Sequence, residues 1–250
     1  MKPIIESAYL ISSELKKLIS RNAIDDLENG IYKGDNANYC ISLFQENLIN
    51  PNEDCKTFLY YLGQALIKWA KNNLQNGYFK MVDVHHGTEL FLGFLPRYIN
   101  LFPDDEEAKL LIINAAEFIG NWKNESSWFD YKKEIFKSWH LGSEGYARDK
   151  IFSFNTADHI RFIHLALIAF EISGDSKYLQ WSLLYGRSFA NRIIKSNKII
   201  PVAWDNTGKE FFSDDMKKNK EKFLAANHHH YYNDPMSGVE NLVASGAIYA

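Results

Sequence analysis

Cysteine is scarce in this chain. Two residues in 250, Cys40 and Cys55, exclude a disulfide framework. They form no CxxC pair, so each reads as a small buried hydrophobe. An excess of one charge is also missing: 28 Lys plus Arg stand against 31 Asp plus Glu, a net charge of -3. No uniformly basic surface is available to neutralise a phosphate backbone, which argues against nucleic acid as a partner. No apolar run approaches the roughly 18 residues of a membrane span, so no membrane partner is expected either. The opening MKPIIESAYL meets charge too early for a signal peptide, and a cytoplasmic location is expected if Met1 is the native start. A Gly-rich phosphate loop, GxSxG, HExxH and Cys-rich metal spacing are all absent, so neither metal nor cofactor is expected. What remains is a globular composition, 46% hydrophobic, with a surplus of aromatics: 17 Phe, 14 Tyr and 6 Trp.

Helical periodicity dominates and makes the expected fold class all-α. Apolar side chains recur at helical spacing over 5–20 and again over 54–76, where Asp54 is a plausible N-cap and Gly77 a stop. Residues 86–100 are more apolar, with Pro96 expected to kink or shorten the helix. A helix over 104–122 opens on four acids, the right polarity for its N-terminus. Residues 156–173 and 176–195 form a further pair, and another helix starts near Ser237. The best strand candidate, 198–204, is short and interrupted by Pro201.

An internal repeat underlies this pattern. Displaced by 71 residues, FPDDEEAKLLIINAAEFI lies over SGDSKYLQWSLLYGRSFA, with Asp104 on Asp175, Leu110 on Trp181 and Phe118 on Phe189. Each copy is a helix, a tight acidic turn and a helix. One helix of each pair is apolar nearly all round and its partner amphipathic, which predicts two concentric layers. The hairpin IAFEISGDSKYLQWSLLYGRSFANRII, its copy ending AAEFIGNW, and the following KIIPVAWD resemble the α/α-toroid architecture of polysaccharide lyases, unsaturated-uronyl hydrolases and sugar epimerases. That resemblance covers about residues 54–250 and implies a carbohydrate substrate. A closed toroid has more hairpins than this chain supplies. Residues 1–250 are therefore expected to form a single toroid-like domain, the N-terminal part of a longer protein.

Connections after the apolar helices are short, near 101–103 and 173–175. Those before them are long: 77–85, 123–155 and 196–236. Antiparallel packing brings the long connections to one end, together with the N-termini of the inner helices. Seven of the eight histidines fall there: His85, His86, His140, His159 and the run His228, His229 and His230. Imidazoles gathered with Trp128, Tyr131, Trp139, Tyr146 and Trp204 resemble a cleft that stacks sugar rings and moves protons.

Four segments carry the candidate residues. In DVHHGTE, Asp83 is a possible N-cap, and His85 and His86 diverge by about 100° on a helix, so one at most faces a cleft squarely. Glu89 is spaced to orient either imidazole. In FNTADHIRFIH, Thr156 is a natural N-cap, Asp158 and His159 lie in the first turn, and Arg161 matches a substrate carboxylate. His164 reads as a core histidine. The long loop offers Trp128, Trp139 with His140, and Tyr146 with Arg148. In HHHYY only His228 and His230 converge in an extended chain.

The preferred expectation is β-elimination on a uronic-acid-containing saccharide. Arg161 and Asn155 would neutralise the carboxylate, His159 or His85 would take the C5 proton, and Tyr146 would protonate the leaving oxygen. Paired-carboxylate hydrolysis by Asp83, Glu89 or Asp158 is one alternative. Epimerisation by His85 or His86 with His159 is another. Without turnover, the same aromatics would make a helical scaffold or a glycan-binding module.

Overall fold

A computed structural model describes residues 41–123, 126–196, 201 and 203–212. The helices expected over 5–20 and from about 237, Cys40, and the His228–His230 run lie outside the described residues. The chain divides into two compact units. The first holds 41–73 and 89–110 of the described residues, and the second holds 74–88 and 111–212.

In the first unit, α1 (Ile41–Ile49) and α2 (Glu53–Asn73) are joined by a turn that Asn52 caps, its Oδ1 accepting from Asp54 N–H at 2.8 Å. The buried side of α2 is Cys55, Phe58, Leu59, Leu62, Leu66, Ile67 and Ala70, the period the sequence predicts. Cys55 is a free, buried thiol whose Sγ lies 3.6 Å from the Leu43 carbonyl. The apolar stretch 86–100 becomes two helices, α3 (Val84–Leu92) and α4 (Phe94–Leu101), broken at Gly93. Pro96 falls in the first turn of α4, where no N–H is needed for the helix ladder. Gly63 of α2 faces the Tyr98 ring so closely that a Cβ would sit 2.0 Å from it. Glycine is what lets α2 and α4 pack there. Asp105 then caps α5 (Glu106–Ile119): Oδ1 accepts from Ala108 N–H at 3.0 Å, and Oδ2 accepts from Tyr98 at 2.7 Å and Gln64 at 2.6 Å.

The second unit contains the best-formed hairpin, α6 (Arg161–Ser173) and α7 (Ser176–Ser196). Gly174, left-handed at φ 71°, ends α6, and Asp175 opens α7 by accepting from Lys177 N–H at 3.0 Å. The repeat is therefore real in type but one residue out of the expected register, since Asp105 rather than Asp104 is the counterpart of Asp175.

The largest departure from the all-α expectation lies in the long connections. They fold into three small antiparallel sheets: β1 (Val82–Asp83), β4 (His140–Gly142) and β5 (Gly145–Tyr146); β2 (Phe129–Asp130) and β3 (Ile135–Phe136); and β6 (Phe154–Thr156), β7 (Ala203–Asp205) and β8 (Glu210–Phe211). The class is largely α with these sheets added. Strands of two or three residues are too short to show a period of two.

These sheets and the α6–α7 hairpin enclose an aromatic core of Trp128, Phe129, Phe136, Phe162, Trp181, Tyr185 and Phe189. Gly142 lets β4 pass against the backbone of Phe79 and Lys80, since a Cβ there would meet the Lys80 carbonyl at 2.2 Å. Ser143 N–H donates to Phe79 O at 2.9 Å beside it. That close passage holds β1, and with it the start of α3, against β4.

Candidate active site

Two helix starts in the second unit carry the chemistry. The first is α3. Asp83 ends β1, and its Oδ1 accepts from His86 N–H at 3.0 Å, so it is the N-cap that the sequence suggests. Its other oxygen lies 2.7 Å from His86 Nδ1. One carboxylate thus serves both the helix start and the imidazole two residues into it. The second is the 3₁₀ turn Ala157–Ile160, which leads into α6. Thr156 caps it, its hydroxyl accepting from Asp158 N–H at 3.3 Å, while His159 Nδ1 accepts from Thr156 N–H at 3.1 Å.

Asp158 is wholly buried, a costly place for a carboxylate unless it is paired. It is paired. His85 Nδ1 lies 3.4 Å from Oδ1, Arg161 Nε 3.9 Å from the same oxygen, and Thr156 Oγ1 3.4 Å from Oδ2. Arg161 also reaches across to α3, where Nη1 donates to the His85 carbonyl at 3.1 Å and lies 3.4 Å from Thr88 Oγ1. The His85 and His86 rings meet edge to face at 5.5 Å between centroids. Their Cβ directions diverge on the helix, yet the rings meet while each also reaches its own carboxylate. The His85 side chain is 20% exposed and that of His86 50%. Two Asp–His pairs, Asp158–His85 and Asp83–His86, therefore stand side by side with their imidazoles toward solvent.

His140 is opposite Asp83 in the β1–β4 register and is half-buried, stacked on Phe152 at 4.1 Å. Tyr146 pairs with Leu141, so strand alternation puts it on the opposite face of that sheet from Asp83 and His140. There its ring receives the Lys137 ammonium at 5.2 Å. Arg148 is exposed. Glu89 belongs to the first unit, where its carbonyl accepts from Gly93 N–H.

Several expectations give way to structural roles. His159 is fully buried, with Nε2 3.1 Å from the Ser138 carbonyl, where it donates, and Nδ1 accepting from Thr156. Burial lowers its pKa to about 4, so it is a neutral imidazole fastening a loop rather than a base meeting substrate. Asn155 is spent on the backbone of Phe136, accepting at 2.8 Å and donating at 2.7 Å. Trp128, Trp139 and Trp204 are each at most 1% exposed. They fill the core and present no face to a sugar. Among the described residues no group of three His, Cys, Asp or Glu is placed to hold a metal, and no helix is long and apolar enough to cross a membrane. Sequence reasoning passed over Thr88, whose hydroxyl donates to the Val84 carbonyl at 2.8 Å inside the helix turn that carries His85.

The chain shares its fold with solved structures of α/α-toroid carbohydrate-active enzymes. An unsaturated glucuronyl hydrolase from Streptococcus agalactiae superposes with a TM-score of 0.53 at 14% identity, over 82% of this chain and 52% of that one. A D-mannose isomerase gives 0.51 at 9% identity, over 84% and 58%. The cellobiose 2-epimerase of Bacillus thermoamylovorans gives 0.51 at 14%, also over 84% and 58%. The chain thus spans a little over half the length of these toroid proteins. No protein-family model matches the sequence, and no curated protein matches it.

Proposed function

We propose that the protein acts on a carbohydrate by proton transfer between its two imidazoles, as a sugar epimerase or isomerase. The observation that carries this reading is the side-by-side placement of the Asp158–His85 and Asp83–His86 pairs. In the tautomer that donates from Nδ1 to the carboxylate, Nε2 holds the lone pair and the carboxylate stabilises the imidazolium that forms. One such nitrogen takes the proton from the carbon beside a sugar carbonyl and becomes an imidazolium, while the other imidazole, entering the cycle protonated, gives its Nε2 proton to carbon or oxygen and is left neutral. The isomerase and epimerase among the fold neighbours act on sugars of this kind, which supports a carbohydrate substrate.

β-Elimination draws less support. Its neutralisers, Arg161 and Asn155, are committed to internal partners, one of its two candidate bases, His159, is buried while the other, His85, stays partly exposed, and its acid Tyr146 lies on the opposite sheet face from Asp83 and His140. Hydrolysis is the second reading. Asp83 and Asp158 are two carboxyls in contrasting surroundings, one partly exposed and one buried, and separated environments are what a general acid and its partner need.

A panel of neutral aldoses, cellobiose and uronate-bearing oligosaccharides separates the three. Proton NMR is expected to show a new epimer or ketose. Release of reducing ends instead would favour hydrolysis, and ultraviolet absorbance from a new C=C would restore β-elimination.

A further inference from the structure

The sequence casts Arg161 as a ligand for a substrate carboxylate, but its guanidinium points inward. It touches three things at once: the buried Asp158 carboxylate through Nε at 3.9 Å, the carbonyl of His85 through Nη1 at 3.1 Å, and Thr88 Oγ1 at 3.4 Å. Its side chain is only 16% exposed. Thr88 in turn donates to the carbonyls of Val84 and His85, so the turn that carries the imidazole is held on two sides.

We infer that Arg161 is a positioning residue that sets both the place and the proton affinity of His85, working through Asp158. This rests on the proposed role of the Asp158–His85 pair but is read out separately from turnover. A carboxylate buried beside one imidazole shares a single proton with it, and the pair titrates as a unit. A fixed cation within reach of that unit opposes uptake of the shared proton. With Arg161 present, the buried Asp158 carboxylate has a guanidinium beside it as well as the imidazole. Without the guanidinium the buried carboxylate loses a cationic neighbour, and the pair keeps its proton to higher pH. Ionisable groups near His85 besides the Asp158–Arg161 pair include His86, whose ring is 5.5 Å away, and Asp83, which His86 contacts; Glu89 follows His85 by one turn of the same helix. Substitution at Arg161 leaves them in place. Lysine keeps the charge but has no planar fork to hold Asp158 and the His85 carbonyl together.

Ring-proton NMR titration of the whole protein tests this, with His85 assigned by its loss in His85→Asn. Arg161→Gln is expected to move the His85 midpoint up by about one pH unit. Arg161→Lys is expected to leave the midpoint within a few tenths of wild type while kcat falls about tenfold or more. An unmoved midpoint in Arg161→Gln overturns the inference. Should that variant fail to fold, Arg161→Met, which also removes the charge, decides in its place: an upward shift of about one pH unit upholds the inference and an unmoved midpoint overturns it. Loss of sugar turnover as a finding for the wild type, with the midpoints moving as stated, would remove the proposed function and leave Arg161 in this role.

Discussion

Residue by residue, the histidines divide by what their nitrogens touch. His85 and His86 present one nitrogen to a carboxylate and stay partly exposed, whereas His159 gives both nitrogens to the backbone. The buried ring has a measurable consequence. Its pKa of about 4 lies below the ordinary imidazole value of roughly 6.5 that the unfolded chain has. Between these values the unfolded state binds a proton that the folded state refuses, so stability is full above about pH 6.5 and is lost as pH falls toward 4. Urea unfolding at pH 7 and pH 5 is expected to differ by on the order of 2 kcal/mol from this residue. His159→Gln should flatten that part of the profile. An equal slope in the two proteins would mean that the ring is protonated in the folded state.

At the level of elements, capping residues do more than end helices. Asp83 and Asp105 each satisfy a helix N-terminus with one oxygen; the other goes to the His86 ring of the same first turn for Asp83, and to the Tyr98 hydroxyl and Gln64 for Asp105. Asp105→Ala removes a cap and strips partners from the Tyr98 hydroxyl and Gln64, so a loss of about 2 to 3 kcal/mol is expected in thermal or urea unfolding. Asp105→Asn keeps an acceptor for Ala108 N–H and should cost less than half as much.

The same scale shows what could be read beforehand. Helices over 54–76 and 176–195 were legible because their apolar stripes run for several turns, and they appear at Glu53–Asn73 and Ser176–Ser196. The break in 86–100 was placed at Pro96, but the chain turns at Gly93 and uses the proline inside the next first turn. Asp83 and Asp158 were legible because caps and first-turn acids have a local signature. The Asp83–His86 contact is local, three residues apart, whereas the Asp158–His85 pairing joins residues 73 apart from two helix starts and has no local signature. Position near a helix start said nothing about depth or partners, which is why His159 and Asn155 looked functional and Arg161 was matched to a substrate carboxylate rather than to Asp158 and the His85 carbonyl.

Across the whole molecule, much of the aromatic surplus goes to the interior. Of the aromatics expected to line a sugar-stacking cleft, Trp128, Trp139 and Trp204 are fully buried in the core, while Tyr131 is exposed. The toroid fold is shared at 9% to 14% identity, a level at which architecture persists while site residues change freely. The case for carbohydrate chemistry therefore rests on the two Asp–His pairs and the fold they occupy. The most direct measurement is solvent exchange: the protein is incubated with an aldose in D2O, and deuterium at the carbon beside the carbonyl is followed by NMR. Wild type is expected to exchange that position, and His85→Gln to do so at least about a hundredfold more slowly. Exchange at an undiminished rate in His85→Gln would contradict the account.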